Sequence, residues 1–150
     1  MGAITAAWDA KTTLTTTALN SLASANYVAA GTVDLTAVDP LDVAVEVEAT
    51  PGTVAGNKQL VVFAKTSFDG TNFSTGPATV STATDEPNLY LIGVLPLGTN
   101  STLQRKSFSV VGALGFIPPH LEVIIKNDSG AALAASGHKV SYALLTGNVA

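Results

Sequence analysis

In Asp42–Ala49 the side chains alternate strictly: Val43, Val45 and Val47 fall on one face, and Ala44, Glu46 and Glu48 on the other. A period of two suits a pleated strand with one dry face and does not suit a helix, where residues two apart point in different directions. The pattern returns in Leu121, Val123 and Ile125, opposed by Glu122 and Lys126, and again in Val140, Tyr142 and Leu144. Half-buried segments of this kind predict antiparallel sheets with one face to the core and one to water. Val43, Val45, Val47, Val123, Ile125 and Tyr142 are therefore the expected core. Leu60–Thr66 differs, being apolar on both faces apart from Lys65, which predicts a central strand or an interface strand. Tyr27–Leu35, Leu89–Leu95 and Ser107–Ala113 are further predicted strands, interrupted by Gly31, Gly93 and Gly112. A glycine inside a strand marks a bulge or a close approach of two backbones.

Turn chemistry separates these runs at Pro51-Gly52, Asp69-Gly70, Gly76-Pro77, Gly98–Asn100, Pro118-Pro119 and Asp128–Gly130. Asp69-Gly70 is the strongest hairpin signal, since both residues tolerate positive φ. It predicts a type I′ turn joining Leu60–Thr66 to a strand near Asn72–Ser74. Seven to nine strands joined in this way predict an all-β fold. The expected form is an antiparallel β-sandwich with jelly-roll or Greek-key connections over residues 27–150. Residues 1–26 read as an extended N-terminal arm. Lys11–Thr17 is threonine-rich, and Ala18–Ser24 has room for one or two helical turns with Leu19 and Leu22 facing inward. Threonine is polar yet β-prone, which suits an arm laid against another surface. Trp8 and Leu14 are costly to leave in water, so Trp8, Thr13, Leu14 and Thr15 are the candidate contacts with a partner or a second subunit. A cut after Thr17 is expected to spare the period-two core.

The 150 residues fit one domain, and a 47% hydrophobic content supplies its core. A net charge of −4, with basic residues scattered apart from Arg105-Lys106, argues against a nucleic-acid partner, because phosphates require clustered cations. The absence of cysteine rules out disulfides and thiolate metal sites. Met1–Leu22 has neither the basic start nor the apolar run of a secretory leader. No apolar stretch is long enough to span a bilayer, and no membrane partner is expected. The sequons at Asn72, Asn100 and Asn127 read as turn asparagines.

Reactive groups are sparse. His120 and His138 each open a predicted strand and would approach one another if the last two strands paired. Ser136 and Ser141 lie close to His138, but no G-x-S-x-G elbow occurs. Asp34, Asp39, Asp42 and Glu46 offer oxygen ligands without the spacing of a calcium loop. Glu46 and Glu48 share a face but lack the aromatic platforms of a sugar-cleaving cleft. No catalytic residue, metal ligand or cofactor is expected.

The C-terminal third carries a resemblance. Leu114-Gly-Phe-Ile-Pro-Pro-His120 leads into Leu121-Glu-Val-Ile-Ile-Lys-Asn-Asp-Ser-Gly-Ala-Ala-Leu133 and a short last strand, Lys139–Thr146. A proline corner, an apolar strand, an Asn-x-Ser-Gly turn and a final strand resemble small structural proteins of tailed bacteriophages. Leu60–Thr66 running into Ser67-Phe-Asp-Gly-Thr-Asn-Phe73 is similar to a strand and hairpin of the same proteins. So is the opening, with Ala18-Leu-Asn-Ser-Leu-Ala23. Among them the chain most resembles the head decoration, or cement, proteins. The resemblance implies a jelly-roll-like, non-enzymatic virion protein, made in the host cytoplasm and placed on the capsid exterior. There it would bridge major capsid protein subunits as a homo-oligomer, trimer ahead of dimer. The two-faced apolar strand Leu60–Thr66 fits an oligomer held by sheet packing rather than ion pairs. Neck and tail sandwiches share these patterns. A carbohydrate-binding adhesive sandwich is the alternative that would need exposed aromatics, whereas Tyr27, Tyr90 and Tyr142 are expected within the core. A cupin-like enzyme would need more histidines than two.

Overall fold

The structure is a computed structural model that describes residues 2–80 and 83–149. Strand accounts for 48% of the chain and helix for 6%, so the fold is all-β. Its strands are β1 (Ile4–Trp8), β2 (Thr12–Thr15), β3 (Tyr27–Asp34), β4 (Asp42–Ala49), β5 (Gln59–Ser67), β6 (Thr79–Val80), β7 (Tyr90–Pro96), β8 (Gln104–Ser109), β9 (His120–Asp128) and β10 (Lys139–Val149). One antiparallel sheet has the order β1-β10-β4-β8, with β2 also on β10; the other has the order β6-β3-β9-β5-β7. With β1 and β2 counted as one interrupted strand and β6 set aside, eight strands remain. Their chain order and sheet positions are those of a jelly roll, two Greek keys folded into a sandwich.

The inner faces hold the residues that the alternation picks out. Val43, Val45, Val47, Val123 and Ile125 are fully buried. Tyr142 is only half-buried, packed at the margin of the core. Gly31 lies at a bulge in the β3–β9 ladder, and Leu14 packs over it, 3.3 Å from where a Cβ would stand.

The arm is extended, and it pairs within its own chain. Ile4–Trp8 faces Val149–Leu145 of β10, and Thr12–Thr15 faces Tyr142–Val140. A cut after Thr17 would therefore remove an outer strand together with Leu14, contrary to the expectation that it spares the core. Ala18–Ser24 forms turns rather than a helix, with the Asn20 and Leu22 amides donating three residues back to Thr17 and Leu19. Positive φ at Ser21 and Ala25 stops propagation. Leu19 is nevertheless buried and Leu22 packs on the core.

Ser107–Ala113 is not one strand. Strand β8 ends at Ser109, and a five-residue helix α1 (Val110–Leu114) follows. The Ser109 hydroxyl accepts the Gly112 amide, Asp42 accepts that of Val111, and Gly115 closes the helix at φ 78°. A serine before the helix and a left-handed glycine after it are the local signals that override β propensity here.

The hairpin expected at Asp69-Gly70 is absent. No strand forms near Asn72–Ser74, and only Gly70 of the pair has positive φ, so the type I′ requirement is unmet. Instead the Asp69 carboxylate accepts the Ser67 hydroxyl, the Thr71 and Asn72 amides and the Asn72 side-chain amide. Residues 75–80 and 83–89 then lie over the outer face of the second sheet as a flap containing β6 and a 3-10 turn at Glu86–Asn88. Under it a second apolar cluster forms from Tyr27, Phe63, Leu89 and Ile124. Glu86 accepts the Tyr27 hydroxyl and the Lys126 ammonium. This flap explains why Leu60–Thr66 is apolar on both faces: β5 is a central strand covered from within. The motive for an oligomer through that face is thereby removed.

Candidate functional site

The reactive residues do not converge. His120 opens β9 and His138 stands just before β10, and these strands lie in different sheets, with the two histidines at opposite ends of the sandwich. His138 is buried between backbone groups, its Nδ1 accepting the Thr50 amide and its Nε2 donating to the Ala134 carbonyl. Both nitrogens serve structure. His120 lies beneath Gly70, 3.6 Å from Asp34. The Asp34 carboxyl is held below its ordinary range first by the Thr36 hydroxyl, then by the Thr36 amide, with His120 a smaller influence. Asp42 caps α1 and bonds Ser109. Glu46 is lowered chiefly by the Lys11 ammonium and also accepts the Ser107 hydroxyl. Among the described residues no three of His, Cys, Asp or Glu are grouped to hold a metal, and no helix is long and apolar enough to cross a membrane. Asn127 of its sequon is fully buried, its side chain bonded to Leu22, Ala131 and Ser129.

The four candidate arm contacts divide. Trp8 is 51% exposed on the ribbon that β1 makes with the end of β10. Thr13 is exposed at the sheet edge opposite Ser141. Leu14 is committed to the core margin, and the Thr15 hydroxyl accepts the Thr17 and Ala18 amides. Only Trp8 and Thr13 remain available to another molecule. Tyr90, expected within the core, is instead exposed and packs edge-on against Phe116 with ring centroids 5.8 Å apart.

What the structure does bring together is apolar. The loop after β3, the loop after β5 and the segment after α1 meet at one end of the jelly roll. They enclose an open groove of about 500 Å³ lined by Leu35, Val38, Pro40, Phe68 and Ile117–Pro119, with Thr36 and Asp39 at its polar edge. Leu35 and Pro118 form the buried floor. Phe68, 84% exposed, stands as a wall. The walls are fixed from below: the Leu35 amide donates to the Pro119 carbonyl, Val38 donates to Leu35, and the Asp69 loop is cross-bonded. The β1–β10 ribbon leaves from the same end, where the Leu41 amide donates to the Leu145 carbonyl.

Comparison with protein-family models, with curated proteins and with solved structures gives no match.

The groove lay in segments that the sequence marks only as turns, through Asp39-Pro40, Asp69-Gly70 and Pro118-Pro119. The signal that points to it is the apolar content of those turns. Val38, Leu41, Phe68, Phe116 and Ile117 have no strand face to bury them, and four of the five are exposed. Large apolar side chains gathered at one place on a surface mark a site of protein contact or ligand binding.

Proposed function

We propose that this chain is a non-enzymatic virion structural protein that binds the outside of a phage capsid and stabilises it by bridging major capsid protein subunits. The observation that carries the reading is the gathering of exposed apolar residues at one end of a jelly roll. Ile4, Trp8, Val38, Leu41, Phe68 and Phe116 are six of the nine large hydrophobics exposed among the described residues. They all sit on the loops or ribbon of that end. The phage resemblance of Leu114–Leu133 supports the same reading, because that segment builds one wall of the groove and the strand behind it. A small rigid sandwich that attaches by one end leaves its opposite end to solvent, and repetition on a lattice adds avidity to a modest single contact. A homo-oligomer, trimer ahead of dimer, remains part of the proposal. Its surfaces would be the open sheet edges at β8 and along the arm, since the outer face of β5 is taken.

The test uses expanded heads prepared without the protein. Purified full-length chain should bind them to saturation and raise their resistance to heat, measured as DNA release. Failure to bind any head would defeat the capsid reading.

A further inference from the structure

The apolar end of the molecule is also its acidic end. The segments that build it, residues 34–42, 67–73 and 115–120, contain Asp34, Asp39, Asp42 and Asp69 and no lysine or arginine. Asp9 adds another carboxylate where the ribbon begins. Asp34 and Asp69 are held ionised by hydrogen bonds from their own loops, and Asp39 is exposed on the groove itself. Five of the seven basic residues lie toward the other end: Lys58 in the loop before β5, Arg105, Lys106 and Lys139 near the starts of their strands, and Lys126 opposite Tyr27. Of the other two, Lys65 is buried in β5 and Lys11 is paired with Glu46.

We propose that the groove between Val38–Pro40 and Phe68 receives an extended polypeptide segment that presents apolar side chains beside a lysine or arginine. The apolar side chains would enter between Phe68 and Ile117, and the cation would lie against Asp39 and Asp34. Under the capsid reading, on which this rests for its biological partner, that segment belongs to the major capsid protein.

The groove's chemistry selects among occupants. Pro40, Pro118 and Pro119 have no N–H, so these walls cannot extend a β-ladder and must recognise side chains. A second copy presenting the same end would set carboxylate against carboxylate, which costs specificity and affinity alike. A small ligand would not use the apolar surface that continues past the rim onto Leu41 and Ile4, 53% and 76% exposed. A nucleic acid meets four carboxylates. A basic-apolar peptide fits both halves of the surface, and the fixed walls keep the ordering cost of binding low.

The test uses full-length protein and labelled synthetic peptides with a central Leu-Pro-Leu flanked by lysines, glutamines or glutamates, read by fluorescence polarisation. Affinity should fall from the lysine to the glutamine to the glutamate series, and the lysine series should weaken with added salt. Phe68→Ser should weaken the lysine peptide by at least about tenfold. Its melting temperature should stay unchanged, because the ring is exposed. Asp39→Lys should reverse the order of the lysine and glutamate peptides. Equal binding of all three series, or none, would overturn the proposal. So would a lysine peptide that binds Phe68→Ser as tightly as the natural chain. The same two variants are then applied to heads. Peptide binding with no head binding would support the groove and defeat only the capsid reading. Head binding that survives both substitutions would leave the capsid reading standing and overturn the groove as its contact.

Discussion

Gly93 and Gly98 look alike in the sequence, each a single glycine in an apolar neighbourhood, and the structure separates them. A Cβ at Gly93 would stand 2.5 Å from the Phe108 ring, whereas one at Gly98 would meet nothing within 4 Å. Neither has positive φ, so the difference is purely one of space. Gly93→Ala should cost about 1–3 kcal/mol by overpacking, and Gly98→Ala should change stability by less than about 0.5 kcal/mol. Urea denaturation of the two variants checks this. A second residue-scale prediction concerns Asp69. Its carboxyl is held far below the ordinary value of 3.8, first by the Asn72 amide, then by the Asn72 side chain, the Thr71 amide and Ser67. A depressed carboxyl contributes fully above its unfolded value and loses that contribution only as pH falls through the lowered one. The amide resonances of Thr71 and Asn72 should therefore hold their positions from neutral pH to about pH 4. In Asp69→Asn they should move at every pH. Resonances that already titrate above about pH 5 would show that the loop does not depend on this carboxylate. Asp69-Gly70 illustrates the limit of local reading. The positive φ at Gly70 is legible, but which groups Asp69 gathers depends on Ser67 and Asn72 folding back.

At the scale of elements, the alternating strands were readable because one face of each meets a single hydrophobic core. β4, β9 and β10 fall where the period places them. What could not be read is which element covers a strand that is apolar twice over. Leu60–Thr66 has the same sequence signature whether a second subunit or the chain's own flap lies on it. Only the path of residues after Ser67 decides between them. Glu86 ties the flap to the sheet, so Glu86→Ala should loosen it by about 1–2 kcal/mol, through loss of its bonds to Tyr27 and Lys126. Thermolysin should then cut near Phe73 or Leu89 sooner than in the natural chain while the global melting temperature changes little. Equal cutting rates would mean the flap is held by its apolar contacts alone. The arm divides by the same logic. β1 is exposed at all five positions, and its deletion through Asp9 should leave the sandwich folded and nearly as stable. Deletion through Thr17 also strips β2 and Leu14. It should lower stability by at least about 3 kcal/mol, because it uncovers the β10 edge and the Gly31 bulge. Calorimetry of the two truncations distinguishes them, and similar melting temperatures would demote β2 to an ornament.

The whole molecule has two unlike ends, and that asymmetry was only half legible. Connections alternate in a jelly roll, so the loops after β3, after β5 and after α1 converge although they are distant in sequence. Composition cannot show this, because the topology makes the groove. The loops between β2 and β3, β4 and β5, β7 and β8, and β9 and β10 gather at the other end, with most of the basic residues and Leu103 as the one large exposed hydrophobic found in them. If the apolar, acidic end faces the capsid, the opposite end must face solvent. A short epitope inserted after Gly56, where a side chain would meet open space, should therefore leave head occupancy unchanged and stay accessible to antibody on the assembled particle. The same epitope inserted after Val38 enters the groove wall and should abolish or sharply reduce occupancy. Its local damage should be confined to an exposed loop, so circular dichroism and melting should remain close to those of the natural chain. The pair of insertions tests orientation without requiring the capsid segment to be known. An epitope after Gly56 that blocks attachment, or one after Val38 that does not, would turn the molecule around and assign the opposite end to the lattice.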